Sequence, residues 1–221
     1  RRQRQMCIRD RKRAMQFYST NRKTSPVSLR EAVVRGLATD RGLFMPEVIR
    51  RFPPAFYQNM KEMTLREISF VVAEAFFGEN VEAGKLKEIV DETLNFDIPL
   101  VQVADNRYSL ELFHGPTLAF KDVGARFMAR LLAYFNKQEG ERQVNVLVAT
   151  SGDTGSAVAN GFLDVSGVKV FVLYPQGKVS EIQEKQFTTL GRNITALEVS
   201  GTFDDCQASV SYTHLTLPTI L

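Results

Sequence analysis

Only two cysteines and two histidines occur in the 221 residues. Cys7 and Cys206 show neither a CxxC pair nor a metal-type spacing, and only His114 and His214 could join a cluster, so a disulfide framework and a structural zinc site are excluded. That sparse cysteine usage makes a reduced, cytoplasmic compartment the expectation. No run approaches the roughly 20 apolar residues of a membrane span, so no membrane partner is expected. There is no Walker-type Gly-Lys-Ser/Thr loop, no GxGxxG, no internal repeat and no low-complexity linker. What is there is 44% hydrophobic and 24% charged, an ordinary globular balance, at a length that allows one large or two modest domains.

The net charge of +3 hides an asymmetry, because Arg1 to Arg13 carry seven basic residues against Asp10 alone. The rest of the chain is therefore net acidic, and the basic balance is no argument for nucleic acid. A secretory signal is excluded because no apolar segment follows this start. An Arg-rich transit peptide, a nucleic-acid patch and a non-native extension ahead of Met15 remain open, and the last is the expectation for residues 1–14. Residues 211–221, Ser-Tyr-Thr-His-Leu-Thr-Leu-Pro-Thr-Ile-Leu, break the preceding helical pattern and are expected to be a non-native tail.

Residues 15–95 predict a mainly helical domain. Ser28 with Glu31, and Thr64 with Glu67, each form the signature of a capping box ahead of an apolar stripe. The stripes are Leu29, Ala32, Val33 and Leu37, then Ile68, Val71, Val72, Ala75 and Phe76, then Leu86, Ile89, Val90 and Leu94. Near residue 100 the rhythm changes. Apolar strands at 108–113, 144–149, 168–174 and 194–199 alternate with helical patterns at 122–138, 154–163 and 179–190. That alternation predicts βαβ units in a parallel sheet covered on both faces, an α/β domain over 96–210. Ligands of such sheets bind beyond the carboxyl ends of the strands.

Two stretches sit at or near such ends. In Glu111-Leu-Phe-His-Gly-Pro-Thr-Leu-Ala-Phe-Lys-Asp122, Lys121 opens a helix beside Phe120. The positive end of the helix dipole and apolar neighbours both favour the neutral amine that Schiff-base chemistry needs. A surface lysine snorkelling beside Asp122 is the competing reading. In Ala149-Thr-Ser-Gly-Asp-Thr-Gly-Ser156, glycines expose backbone N–H groups at a helix start, and Ser151 and Thr154 add hydroxyls, an arrangement that suits an anion. A plain strand-to-helix turn capped by Asp153 has equal standing. His114 is either a proton shuttle or a residue that holds its own turn. Lys178, in Tyr-Pro-Gln-Gly-Lys-Val, either meets a phosphate or is solvated.

Taken together, these segments resemble the signature segments of the threonine synthase family, pyridoxal-phosphate enzymes of fold type II (the tryptophan synthase β-like architecture). The resemblance includes Gly42-Leu-Phe-Met-Pro46, Leu173-Tyr-Pro-Gln-Gly-Lys178, the Gln183–Gly191 segment and Phe203-Asp-Asp-Cys-Gln207, and it covers about residues 15–210. It implies that Lys121 bears pyridoxal 5′-phosphate, with Phe120 and Thr117 shaping the pocket. It implies that Ser151, Gly152, Asp153, Thr154 and Gly155 hold the substrate α-carboxylate, with Asp153 also beside the cofactor's ring oxygen, and that Lys178 is a further substrate ligand. Asp153 stands where related dehydratases carry asparagine.

The implied reaction converts O-phospho-L-homoserine and water to L-threonine and phosphate. The family's Ser-Gly-Asn-Phe-Gly-type loop for the cofactor phosphate, and the partner of the ring nitrogen, have no match here. The expectation is therefore the N-terminal portion of such an enzyme, inactive alone. The alternatives are another fold-type II lyase or dehydratase and a non-catalytic binding protein of the same family. Monomer and homodimer are equally open.

Overall fold

Two short hydrogen-bonded patterns frame the architecture: antiparallel strands near the start of the chain and parallel ones near its end. The computed structural model describes residues 14–216. The suspected extension up to residue 13, with Cys7, lies outside the described residues, as does the last part of the suspected tail. The chain divides into two compact units, Arg1–Asp91 and Glu92–Leu221.

The first unit carries β1 (Gln16–Ser19), β2 (Val27–Ser28) and β3 (Phe44–Pro46), in the order β2-β1-β3. Its helices are α1 (Leu29–Arg35), α2 (Pro54–Asn59), α3 (Leu65–Phe77) and α4 (Ala83–Thr93), the last ending just past the division. The small sheet adds three short strands to a unit expected to be mainly helical. Its strands are two to four residues long, too short for a period of two to stand out. Phe17 pairs with both Val27 and Pro46, and is buried.

Thr64 forms the complete capping box: its hydroxyl accepts from Glu67 N at 3.3 Å while Glu67 accepts from Thr64 N at 2.7 Å. At Ser28 only half of it forms. Ser28 Oγ accepts from Glu31 N at 3.2 Å, while the Glu31 carboxylate pairs with Arg35 at 3.0 Å. The α4 stripe is core, with Leu86, Ile89, Val90 and Leu94 all buried. The α3 stripe is only half-buried, and the one buried residue of that helix is Ala73, outside the stripe.

The second unit begins with a hairpin, β4 (Leu100–Ala104) and β5 (Arg107–Leu110), paired antiparallel. The 108–113 segment is therefore no strand of the parallel sheet. Two strands joined by a tight turn, here with Asn106 at φ 56, must run antiparallel, because a parallel pair needs a crossover of a dozen residues or more. The parallel sheet is β6 (Val144–Ala149), β7 (Val168–Pro175) and β8 (Ile194–Val199), in that order. Helices α5 (Lys121–Gln138), α6 (Asp153–Gly161), α7 (Glu181–Thr188) and α8 (Phe203–Thr216) accompany it.

The central strand carries the core, with Val170 and Val172 fully buried, each contributing about 1.5–3 kcal/mol over exposure. Coverage of the flanking strands is incomplete, as Leu197 on β8 is 44% exposed. Helix α5 turns a wide face inward, burying Arg126, Ala129, Leu131, Leu132 and Phe135. Helix α8 runs through Thr216, past the expected break at Val210, with buried Cys206 on its inner face. Burial, and then the neighbouring Asp205, push the Cys206 thiol pKa up. Among the described residues no helix is long and apolar enough to cross a membrane.

Candidate active site

The site assembles where β6 and β7 end side by side. Thr150 extends the ladder by one bond, its N–H donating to Leu173 O at 3.0 Å. The chain then turns through Gly152, whose φ of 143 lies in the region that favours glycine. A Cβ there would also collide with the Gln183 side chain.

Thr150 is the residue that sequence reasoning missed. It is completely buried. Its Oγ1 accepts from Gly152 N at 2.9 Å and from Gly155 N at 2.8 Å. Two of the amides expected to face an anion are therefore committed inside the loop. Thr154 N is committed too, donating to Asp153 Oδ1 at 2.9 Å. The helix is capped by Gly152, not by Asp153, whose side chain is left to face across the site. Ser151 is exposed, so its hydroxyl is open to a ligand.

What Asp153 faces is Lys121. Lys121 Nζ lies 3.1 Å from Asp153 Oδ1, 3.0 Å from Asp153 Oδ2 and 2.6 Å from Thr154 Oγ1. The structure thus brings Lys121 to two neighbouring residues that lie more than thirty positions on in the sequence. The expected desolvation is weaker than the sequence implied. The Lys121 side chain is 35% exposed and Phe120 is 60% exposed, and the nearest charge is the Asp153 carboxylate.

Thr117 lies at the base of the lysine's turn and is buried. Its Oγ1 donates to Asp122 Oδ1 at 2.5 Å and its N–H to Asp122 Oδ2 at 2.9 Å. Its hydroxyl is therefore spent within the protein. His114 points to its own loop, with Nε2 2.6 Å from Glu111 Oε2 and its ring stacked on Phe113 at 4.8 Å between centroids. This favours the turn-holding reading over the proton shuttle. Lys178 is exposed in the turn after β7, where Gly177 adopts φ 63. Its described bond is its backbone N–H donating to Pro175 O at 3.2 Å, and no contact joins it to Lys121 among the described residues.

Helix α7 touches both halves of the site. Gln183 packs on Gly152 and its carbonyl accepts from buried Ser156 Oγ at 3.2 Å. One turn on, Gln186 Nε2 donates to Thr117 O at 3.4 Å. Periodicity cannot reveal such a bridge, because both glutamines read as ordinary polar helix positions.

Comparison with known proteins follows the same outline. Residues 16–94 match the family profile described as the threonine synthase N terminus. The threonine synthase of Serratia marcescens is 44% identical over 196 residues, which cover 89% of this chain and 45% of that protein. The Escherichia coli K12 threonine synthase is 42% identical with the same coverage. The crystal structure of the Escherichia coli enzyme superposes with a TM-score of 0.84 at 41% identity, covering 90% of this chain and 46% of the other. A PLP-bound threonine synthase from Brucella melitensis gives 0.83 at 36% identity, covering 92% and 45%. The chain spans a little under half the length of these relatives. By sequence and by fold the chain is similar to the N-terminal portion of threonine synthases.

Proposed function

We propose that this chain supplies the lysine-bearing part of a threonine synthase that converts O-phospho-L-homoserine and water to L-threonine and phosphate. The observation that carries the reading is the convergence of Lys121 Nζ on Asp153 and Thr154 at the carboxyl end of the parallel sheet. A likeness to a PLP-bound threonine synthase supports pyridoxal 5′-phosphate as the cofactor. The residues present fit the cofactor's carbonyl end: a primary amine reachable from solvent, held by a carboxylate and a hydroxyl, beside the exposed ring of Phe120.

When bound, that cofactor supplies an electron sink for negative charge at the substrate Cα. Lys121 would hold it through Nζ, and in its free form would take and return protons at Cα and Cβ. Asp153 and Thr154 aim Nζ and keep it from swinging into solvent. The exposed hydroxyl of Ser151, the side chain of Thr154 and the turn shaped by Gly152 and Gly155 form the candidate seat for the substrate α-carboxylate. Lys178 is the weaker candidate, as a point charge for phosphate. The cytoplasm is the proposed compartment.

The test is an assay of the full-length protein with O-phosphohomoserine and pyridoxal phosphate, following phosphate and threonine together. Equal release of both supports the reading. Phosphate-independent elimination from another amino acid would favour a different lyase, and cofactor binding without turnover would favour a non-catalytic relative.

A further inference from the structure

We infer that Asp122 is a positioning residue for Lys121, its buried carboxylate clipping the preceding turn so that the lysine leaves helix α5 aimed at Asp153 and Thr154. The inference rests on reading Lys121 as the cofactor-bearing lysine.

Asp122 is completely buried. A carboxylate in that position is costly unless its oxygens are satisfied, and both are satisfied by one residue, Thr117, through its N–H at 2.9 Å and its hydroxyl at 2.5 Å. Gly115 is packed so tightly on this carboxylate that a Cβ would come within 2.9 Å of Asp122 Cβ. Inside the clip, Leu118 is held at φ 60, a conformation that a leucine adopts only when its surroundings impose it. Its N–H closes the turn on Gly115 O at 3.1 Å, and Asp122 N donates to Ala119 O at 3.0 Å as the helix begins.

From the other side, Gln186 of α7 donates to Thr117 O at 3.4 Å, tying the clip to the helix that also packs on Gly152. Lys121 is the residue covalently before the clip's anchor. Loosening the Thr117 bonds releases the strained turn, and the Lys121 backbone moves with it.

A merely structural role is the alternative: an acid in the first turn of a helix stabilises it through the helix dipole. That role would change stability and leave the lysine's chemistry untouched. The full chain without cofactor is therefore treated with acetic anhydride across a pH series, and acylation of each lysine is mapped by peptide mass, with Lys137 and Lys169 as internal references. Thr117→Val removes one bond at nearly constant size, Asp122→Asn removes the buried charge and replaces one acceptor oxygen by a donor, and Thr117→Ser keeps both bonds.

The expected result is a several-fold change in the Lys121 rate and a displaced rate–pH profile in Thr117→Val and Asp122→Asn, with Lys137 and Lys169 unmoved and Thr117→Ser like the parent. Should Asp122→Asn fail to fold, Thr117→Val decides. An unchanged Lys121 profile in a folded Thr117→Val overturns the inference, even if its unfolding temperature falls. Borohydride reduction of the parent with pyridoxal phosphate is scored separately. An adduct on a different lysine overturns the cofactor reading, and the acylation profile then judges Asp122 by itself.

Discussion

Lys121 Nζ and Thr154 Oγ1 lie 2.6 Å apart although 33 positions separate them. The contact exists because α5 and α6 begin on the same side of the molecule and pack closely. At their crossing, a Cβ on Gly161 would stand only 3.0 Å from Ala125 C. The pair places an amine and a hydroxyl at one strand-end corner, and the consequences can be tested one residue at a time.

Replacing Lys121 removes the only amine the structure brings to Asp153 among the described residues. Pyridoxal phosphate followed by borohydride should label Lys121 in the parent and give no adduct at position 121 in Lys121→Ala. Tryptic mapping reads the outcome, and label on Lys178 in the parent would sink the assignment.

Thr150→Val should weaken the loop without changing its bulk. Two buried N–H groups, of Gly152 and Gly155, lose their shared acceptor, and leaving a buried donor unpaired costs about 1–3 kcal/mol. Urea denaturation should show a lower midpoint at unchanged slope, with Thr150→Ser close to the parent. Equal midpoints would mean that the loop amides find water instead.

Gly152→Ala should be more damaging than Gly177→Ala. Both have positive φ, but only Gly152 is also pressed against Gln183, whereas nothing lies within 4 Å of the Gly177 Cβ position. The strain at Gly152 costs about 1–3 kcal/mol before any clash is relieved. Thermal unfolding of the two variants, with cofactor loading of each, checks the order.

Acid should loosen helix α3 through its cap. The backbone N–H and then the hydroxyl of Thr64 lower the Glu67 pKa from its ordinary 4.5. Because the folded-state pKa is the depressed one, this contribution is fully present above the unfolded value and is lost as pH falls through the folded value. Asp40, bonded to Ser19 Oγ and the N–H groups of Lys23 and Gly42, follows the same sign. Glu67→Gln should flatten part of the decline in thermal midpoint between neutral pH and the acid range, and an unaltered slope would rule the cap out as its source.

The 221-residue chain should self-associate through its hairpin. Leu100, Val103, Tyr108 and Leu110 are each more than half exposed, and an isolated two-stranded ribbon has unpaired edges that invite pairing. Leu100 and Leu110 are directly opposed, so Leu100→Glu with Leu110→Lys should place opposite charges side by side. Light scattering on concentrating the protein should fall in the double variant. Monomeric parent protein at high concentration would refute the expectation.

Much was legible because it is local. Strands 144–149, 168–175 and 194–199 stand where apolar runs give way, within three residues, to a glycine turn, and the Thr64–Glu67 cap needs residues only three apart. The small β1–β3 sheet was not legible, since its pairs join Tyr18 to Met45 across 27 positions through strands too short to show a pattern. Nor was the fate of the hairpin, where the 108–113 segment promised a strand of the parallel sheet and the structure leaves Tyr108 and Leu110 exposed.

For the site, the sequence alone determined which residues stand as candidates for the chemistry. A lysine at a helix start, and a glycine-rich turn with hydroxyls at the next, are defined by residue type and order, and those survive any packing. Tertiary structure decided what each is free to do. It spent Thr117 on Asp122 and the amides of Gly152 and Gly155 on Thr150, and it turned Asp153 from a helix cap into the partner of Lys121. Those outcomes depend on which donors and acceptors are buried together, and burial is a property of the packed chain, because a polar group chooses its partner only once water has been removed.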